Sequence, residues 1–369
     1  MTATAARPAA GATREAVGVR RPVRGRTLGV TGFFVLLGLG LVLAILVSAG
    51  SGQLPIPADE VAGSVLHRIG IDWLPVPTHP RGDDTLWTVR FPRVAMAALV
   101  GAALAVAGAL MQGVFGNPLA EPSIVGVSSG AAVAAATVIV FGLTFAGDWT
   151  VAVAAFAGGL ATTLLVYFLA RSGGRTEVVT LVLTGIAVNA VAGALLALLM
   201  FLGDTQAREQ IVFWQLGSLN GSRWPYVAVV APFAVVGIVL ALASARSLDL
   251  LALGERPARH LGVHVEKLRI GLIVVVALLT AAAVSFCGIV AFVGLVVPHL
   301  VRMVTGPGHR LVIPACLLAG SLVIVVADLC ARTLVAYADL PLGMLTSLVG
   351  GPFFFWLLWR TRRTAGGWS

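Results

Sequence analysis

Charge is what this sequence has least of. Only 11% of its residues are charged, against roughly 25% for a soluble domain whose surface must be wetted. Apolar runs of about 20 residues fill the gap, long enough to cross about 30 Å of hydrocarbon. A buried strand needs only about 4–8, so a soluble fold is excluded. Lysine is nearly absent: the single one, Lys267, stands between Glu266 and Leu268. The chain therefore has no Gly-Lys-Ser/Thr sequence and no standard phosphate-binding P-loop. Cysteine is scarce as well. Cys287, Cys316 and Cys330 lie in or at the ends of apolar runs without a C-x-x-C pair. Their odd number excludes complete internal pairing, and they read as small buried hydrophobes. No H-E-x-x-H occurs, and His260, His264, His299 and His309 are scattered over separate polar segments. They read as exposed or interfacial, and no metal site is expected.

What is present is organised by hydropathy. The hydrophobic share is 58% and the mean hydropathy +0.97. About ten spans are predicted, near 28–49, 93–114, 123–145, 149–170, 177–201, 224–245, 269–287, 289–304, 311–331 and 343–360. Residues 1–27, with Arg7, Arg14, Arg20, Arg21, Arg24 and Arg26 among small residues, read as a disordered basic tail. The run from Leu28 to Ala49 is too long for the apolar core of a signal peptide and reads as an uncleaved first span. The transmembrane domain is thus 28–360, and 361–369 form a second short tail.

The net charge of +9 does not point to nucleic acid, because the basic residues sit in short segments between spans. With the N-terminus inside, Arg171, Arg175, Arg246, Arg256, Arg259, Lys267, Arg269, Arg302, Arg310, Arg360, Arg362 and Arg363 join the six tail arginines on that side, making 18 of the 25 basic residues. The positive-inside rule selects both termini in the cytoplasm. Within the spans, Asp328 is the one acidic residue, near an outer end; Glu121 and Glu177 sit at inner helix starts, where a carboxylate favours the dipole. A carrier driven by protons or sodium would be poorly furnished. Of the longer polar segments, 50–92 holds an amphipathic piece near Val61–Ile69, and 202–223 leads from Trp214 to Trp224, suited to an interfacial belt. The inner segment 246–268 predicts two short helices, one from Asp249 ending at Gly254 and one from Pro257 to Leu261 ending at Gly262. Together they make a protruding knob.

That knob, Leu253-Gly254-Glu255 through Ala258-Arg259-His260-Leu261-Gly262-Val263, resembles the coupling loop of the FecCD family of permeases. Val89-Arg90-Phe91-Pro92-Arg93, Asn117-Pro118-Leu119-Ala120-Glu121-Pro122, Gly126-Val127-Ser128-Ser129-Gly130, Leu183-Thr184-Gly185, Trp214-Gln215-Leu216-Gly217-Ser218, Phe292 to His299, Pro341-Leu342-Gly343 and Gly350-Gly351-Pro352 continue the resemblance in order from about Leu28 to Arg360. The family serves importers of iron-siderophores, haem and vitamin B12. The resemblance implies an all-α permease in a bacterial cell membrane, working with a second permease subunit, two cytoplasmic ATPases that use ATP and magnesium, and an external substrate-binding protein. This chain itself would bind no cofactor and catalyse nothing. The ligand expected first is a ferric siderophore, moved by alternating access. Gly254, Glu255, Arg256, Pro257, Ala258, Arg259, Leu261 and Gly262 would couple to the ATPase. Arg90, Arg93 and Arg332 match outward arginines that grip the binding protein. Asn117, Pro118 and Leu119, with Ser172, Gly173 and Gly174, match a cytoplasmic gate, and Thr184, Asn189 and Met344 would line the pathway.

Overall fold

Long apolar runs can satisfy their backbone in lipid only as helices, and the computed structural model is built of them, with Pro232, Pro298, Pro314 and Pro352 accommodated inside four. It describes residues 24–172, 175–335 and 337–364. In chain order the helices are α1 (Arg24–Gly50), α2 (Ala58–Arg68), α3 (Gly82–Thr85), α4 (Phe91–Phe115), α5 (Val127–Val140), α6 (Thr150–Leu169), α7 (Val178–Leu202), α8 (Thr205–Leu216), α9 (Trp224–Leu251), α10 (Glu255–His260), α11 (Val265–Cys287), α12 (Val293–Thr305), α13 (His309–Thr333) and α14 (Leu342–Thr364). Two short strands, β1 (Arg171–Ser172) and β2 (Arg175–Thr176), pair antiparallel between α6 and α7.

Each predicted span falls on one helix. Seven segments are long and apolar enough to cross a membrane: α1, the stretch from α3 through α4, the stretch Gly147–Leu169 that includes α6, α7, α9, α11 and α13. Three apolar helices are shorter: α5, α12 and the Leu342–Leu357 part of α14. The third run yields a shorter helix than its hydropathy predicts, because Gly126 (φ 80°) and Gly142 (φ 59°) take left-handed backbone at its two ends. The first and last helices run past the predicted span limits. α1 already begins at Arg24 and α14 continues to Thr364; residues 1–23 and 365–369 lie outside the described residues.

The centre of the bundle is α4, which packs on α13, α11, α9 and α12. Without water there is little hydrophobic gain in bringing two apolar helices together, so close backbone contact at small residues carries the packing. A Cβ on Gly101 of α4 would stand 2.1 Å from the Gly320 carbonyl oxygen of α13, and one on Gly320 would stand 2.2 Å from that of Gly101. Only a glycine pair permits this approach. Ser321 then donates across the same seam to the Ala98 carbonyl at 2.8 Å.

The 50–92 segment folds over one end of the bundle. The predicted amphipathic piece is α2, which turns Glu60, Val61, Gly63 and Ser64 inward. Glu60 accepts from the Thr78 backbone N–H at 3.2 Å and from its hydroxyl at 3.0 Å, which fixes the proline-rich stretch onto α2. Trp224 donates its indole N–H to the Trp87 carbonyl at 2.7 Å, joining this cover to the start of α9.

Candidate translocation pathway and coupling site

The knob comes first because its geometry departs from the prediction. α9 runs unbroken through Asp249 to Leu251, since Ser247 to Leu251 contain no breaker. The expected first short helix is therefore the end of α9, and α10 is the single separate one. The chain reverses at Gly254, whose φ of 107° a side-chain-bearing residue rarely adopts. Ala258 on α10 is fully buried against Leu251 and Val265, with Val263 and Leu268 around them. Glu255 accepts from Arg269 on α11 at 2.8 Å and from Arg259 at 2.9 Å. The Arg269 guanidinium, opposed in part by desolvation, holds the Glu255 carboxyl below the usual carboxylate range. Gly254, Glu255, Arg256, Pro257, Ala258, Arg259, Leu261 and Gly262 thus form one rigid projection, with Arg256 and Leu261 exposed.

Two further contacts tie the projection to the bundle. Asp249, read from sequence as a helix start, accepts from the His309 backbone N–H at 2.7 Å and lies 2.8 Å from His309 Nδ1. His309 is buried, not exposed as its scattered position in the sequence suggested, because the last turns of α9 pack on the first turn of α13. Displacing α10 must therefore move the ends of α9, α11 and α13 together.

At the opposite end of α13 the three expected docking arginines converge. All are internally engaged. Arg90 is buried and donates to the carbonyls of Ala49 (2.7 Å), Gly50 (3.0 Å) and Leu54. Arg93 Nε reaches both oxygens of Asp328, at 2.9 and 3.2 Å, and its two terminal nitrogens hold Asp339 at 2.9 and 3.1 Å. Arg332 donates to the Ser48 and Ser51 carbonyls and lies 3.2 Å from Asp328. The expectation of exposed arginines is corrected: α1, α4 and α13 meet here, their free carbonyls and Asp328 need donors, and the guanidiniums supply them. Asp339, on the loop before α14, is the partner that sequence reading missed.

Two cavities lie along α5, α7, α8 and α14. One, of about 240 Å³, is lined by Ser123, Ser128, Ser129, Asn189, Gln215 and Ile289 among others. The second, of about 470 Å³, shares Gln215 and Ile289 and adds Met344, Ser347 and Leu348. Asn189 is fixed there, accepting from the Ser129 hydroxyl at 2.5 Å and donating to the Ser123 carbonyl at 3.2 Å. Of the predicted lining residues, Asn189 and Met344 thus face cavities and Thr184 lines neither. Gln215 lines both cavities and stands two residues before the turn at Gly217. Gly217 accepts from the Leu342 N–H at 2.8 Å, and a Cβ on Gly343 would stand 2.4 Å from the Ile289 carbonyl oxygen. The ends of α8 and α11 and the start of α14 are knotted beside the cavity. Among the described residues neither lining includes an ionisable side chain.

The gate residues lie on two loops. Asn117, Pro118 and Leu119 are exposed after α4, and the Asn117 side chain accepts from the Leu119 N–H at 2.9 Å, closing a local turn. Ser172 pairs with Arg175 across the two strands; Gly173 and Gly174 lie outside the described residues.

A family model described as the FecCD transport family matches residues 40–360. The hemin transport system permease protein HmuU of Yersinia pestis is 38% identical over 339 residues, 90% of this chain and 98% of that one. The cobalamin import system permease protein BtuC of Halobacterium salinarum is 42% identical over 317 residues, 84% of this chain and 80% of that one. Among solved structures, an inward-facing metal-chelate type ABC transporter superimposes with a TM-score of 0.78 at 31% identity, covering 89% of this chain and 99% of its own.

Proposed function

The chain belongs to the FecCD transport family, and from that premise we propose that it is the membrane permease subunit of an ATP-driven importer of metal chelates. The cargo class is a ferric siderophore, haem or cobalamin, the last two being what the similar permeases of Yersinia and Halobacterium are named for. Ferric siderophore remains the first to test. The observation that carries the reading is the α10 projection, a helix braced through Ala258 and Glu255 that leaves Arg256, Arg259 and Leu261 exposed. A chain without a P-loop needs a separate motor, and such a projection is what a motor would push.

In this reading ten helices span the bacterial inner membrane with both termini in the cytoplasm, α5, α12 and α14 being short spans. α10 seats in a cleft of a cytoplasmic ATPase, which binds ATP and magnesium. ATP-driven closure moves α10 and, through Glu255–Arg269 and Asp249–His309, the inner ends of α11 and α13. The cavities around Asn189 and Met344 are half-sites on a lateral face where Leu348 and Val349 are exposed. A second permease subunit completes them into a pathway. Its mostly apolar lining, with a few uncharged polar groups, suits a bulky neutral or variably charged chelate better than a bare ion, which would demand fixed ligands. The loops of Asn117 to Leu119 and of Ser172 to Gly174 close it on the cytoplasmic side.

At the outer end an external binding protein delivers the cargo. The buried arginines do not offer free guanidiniums to it, so docking through Arg93 requires exchange of Asp339 for a partner carboxylate. The test is co-purification with the cognate P-loop ATPase. Replacing Arg256, Arg259 and Leu261 together with glycine should abolish association while leaving the thermal unfolding of the bundle unchanged. Undiminished association would remove the coupling assignment.

A further inference from the structure

The pathway does not use the groove between α6 and α11. It has a volume of about 430 Å³ and is lined by Leu160, Leu164 and Phe168 from α6 and by Ile270, Val274 and Leu278 from α11. Each set repeats every four residues, so each forms one stripe along its helix. Leu164, Phe168 and Val274 are exposed. The floor holds Thr163, whose hydroxyl donates to the Gly159 carbonyl at 3.0 Å and so leaves no unpaired polar group. An apolar furrow of this kind on a membrane helix pair faces acyl chains.

Its end is not apolar. Arg171, directly after α6, lines the groove. Lys267, three residues before Ile270 in the first turn of α11, lines the recesses next to the groove, just beyond its end. Both cations are at one end, because Tyr167 of α6 reaches Glu266 of α11 there, at 3.5 Å. Neither Arg171 nor Lys267 has an ion-pair partner among the described residues. The nearby acid Glu266 also lies 3.9 Å from Arg269, and Glu177 accepts from Thr180 at 3.3 Å. Arg171 thus stands at the mouth of an apolar slot, with the chain's only lysine just beyond it.

We propose that this groove binds one membrane phospholipid with an anionic headgroup, an acyl chain lying between the two stripes and the phosphate received by Arg171 and Lys267. Juxtamembrane cations favour anionic over zwitterionic lipid by electrostatics, about fivefold for each lysine or arginine near the surface. The site lies beside α10, since Arg269 on the same helix holds Glu255. A bound lipid would brace α6 against the α11 end that carries the knob. The proposal needs only a chain embedded in a membrane and stands apart from the identity of the cargo.

The experiment is native mass spectrometry of the full-length chain in detergent, titrated with phosphatidylglycerol or phosphatidylcholine of identical acyl chains. Wild type should retain one phosphatidylglycerol at least tenfold more tightly than phosphatidylcholine. The Arg171→Gln/Lys267→Gln variant should bind both equally. Val274→Trp, which fills the slot, should lose the retained lipid, whereas Val236→Trp on the exposed face of α9 should keep it. Equal retention of both lipids by wild type overturns the proposal, as does undiminished retention in Val274→Trp or loss in both tryptophan variants. A dimer that weakens on Val274→Trp would mean that a second copy covers the groove, which also overturns it. Metal-chelate uptake is a separate assay, so failure here leaves the transport reading untouched.

Discussion

Replacing Asp328 with asparagine isolates one charge in the most consequential ion cluster of the fold. The Asp328 side chain is 2% exposed and stands between Arg93 and Arg332, which are 11% and 12% exposed. Asparagine preserves the shape and one acceptor oxygen but leaves two buried guanidiniums facing each other. Removing one member of a buried pair costs about 3–5 kcal/mol, most of it from the charge left behind. Asp339 provides the internal control. It is 30% exposed, and without it Arg93 still keeps Asp328, so Asp339→Asn should cost about 1 kcal/mol, the upper range of an exposed pair. The two variants should therefore differ by about 2–4 kcal/mol, roughly thirtyfold to several-hundredfold in unfolding equilibrium. Reversible unfolding in mixed micelles of increasing SDS content measures both on one scale. Equal losses, or a larger loss for Asp339→Asn, would refute the view that the buried carboxylate organises the cluster.

Three other outcomes follow from the geometry. Gly101→Ala should cost about 1–3 kcal/mol by the same unfolding assay, because the new methyl meets the Gly320 backbone and α4 must part from α13. Glu255 has its folded pKa depressed by Arg269, so its stabilisation is complete above the ordinary carboxylate value and fades as pH falls through the lowered one. Hydrogen exchange over 251–265, corrected for intrinsic rates, should show opening increase by less than about fivefold at acid pH, and Arg269→Gln should move that onset upward. The carboxylate is half-exposed, so the effect should be below about 1 kcal/mol. Asn189→Leu, which strips the polar anchor from the cavity beside Ser129, should slow transport severalfold with subunit association intact.

The helical frame was legible because its signal is length. Runs of about 20 apolar residues have one solution in lipid, and each run did become a helix. The breaks were read less well. Gly126 and Gly142 shorten α5, yet glycine inside an apolar run is also an ordinary packing residue, as at Gly101, and sequence alone does not separate the two uses. The knob was located correctly but divided wrongly, since Asp249 looks like a helix start and in fact ties α9 to His309. Burial of the three arginines was invisible for a related reason. Arg90 reaches carbonyls 36 to 41 residues away and Arg93 reaches Asp328 and Asp339 more than 200 residues away, separations that leave no local pattern; only Asp328 and Arg332, four apart on α13, do. Gln215 could have been found by asking why a polar residue follows Trp214 just before a glycine turn.

The most direct test of the central claim is uptake into proteoliposomes holding this chain, its ATPase and its binding protein, with a labelled ferric siderophore, haem or cobalamin supplied outside. Accumulation that requires ATP within the lumen and the binding protein outside, and that ignores an imposed proton gradient, is the predicted result. Uptake that persists without ATP and follows the proton gradient would contradict it.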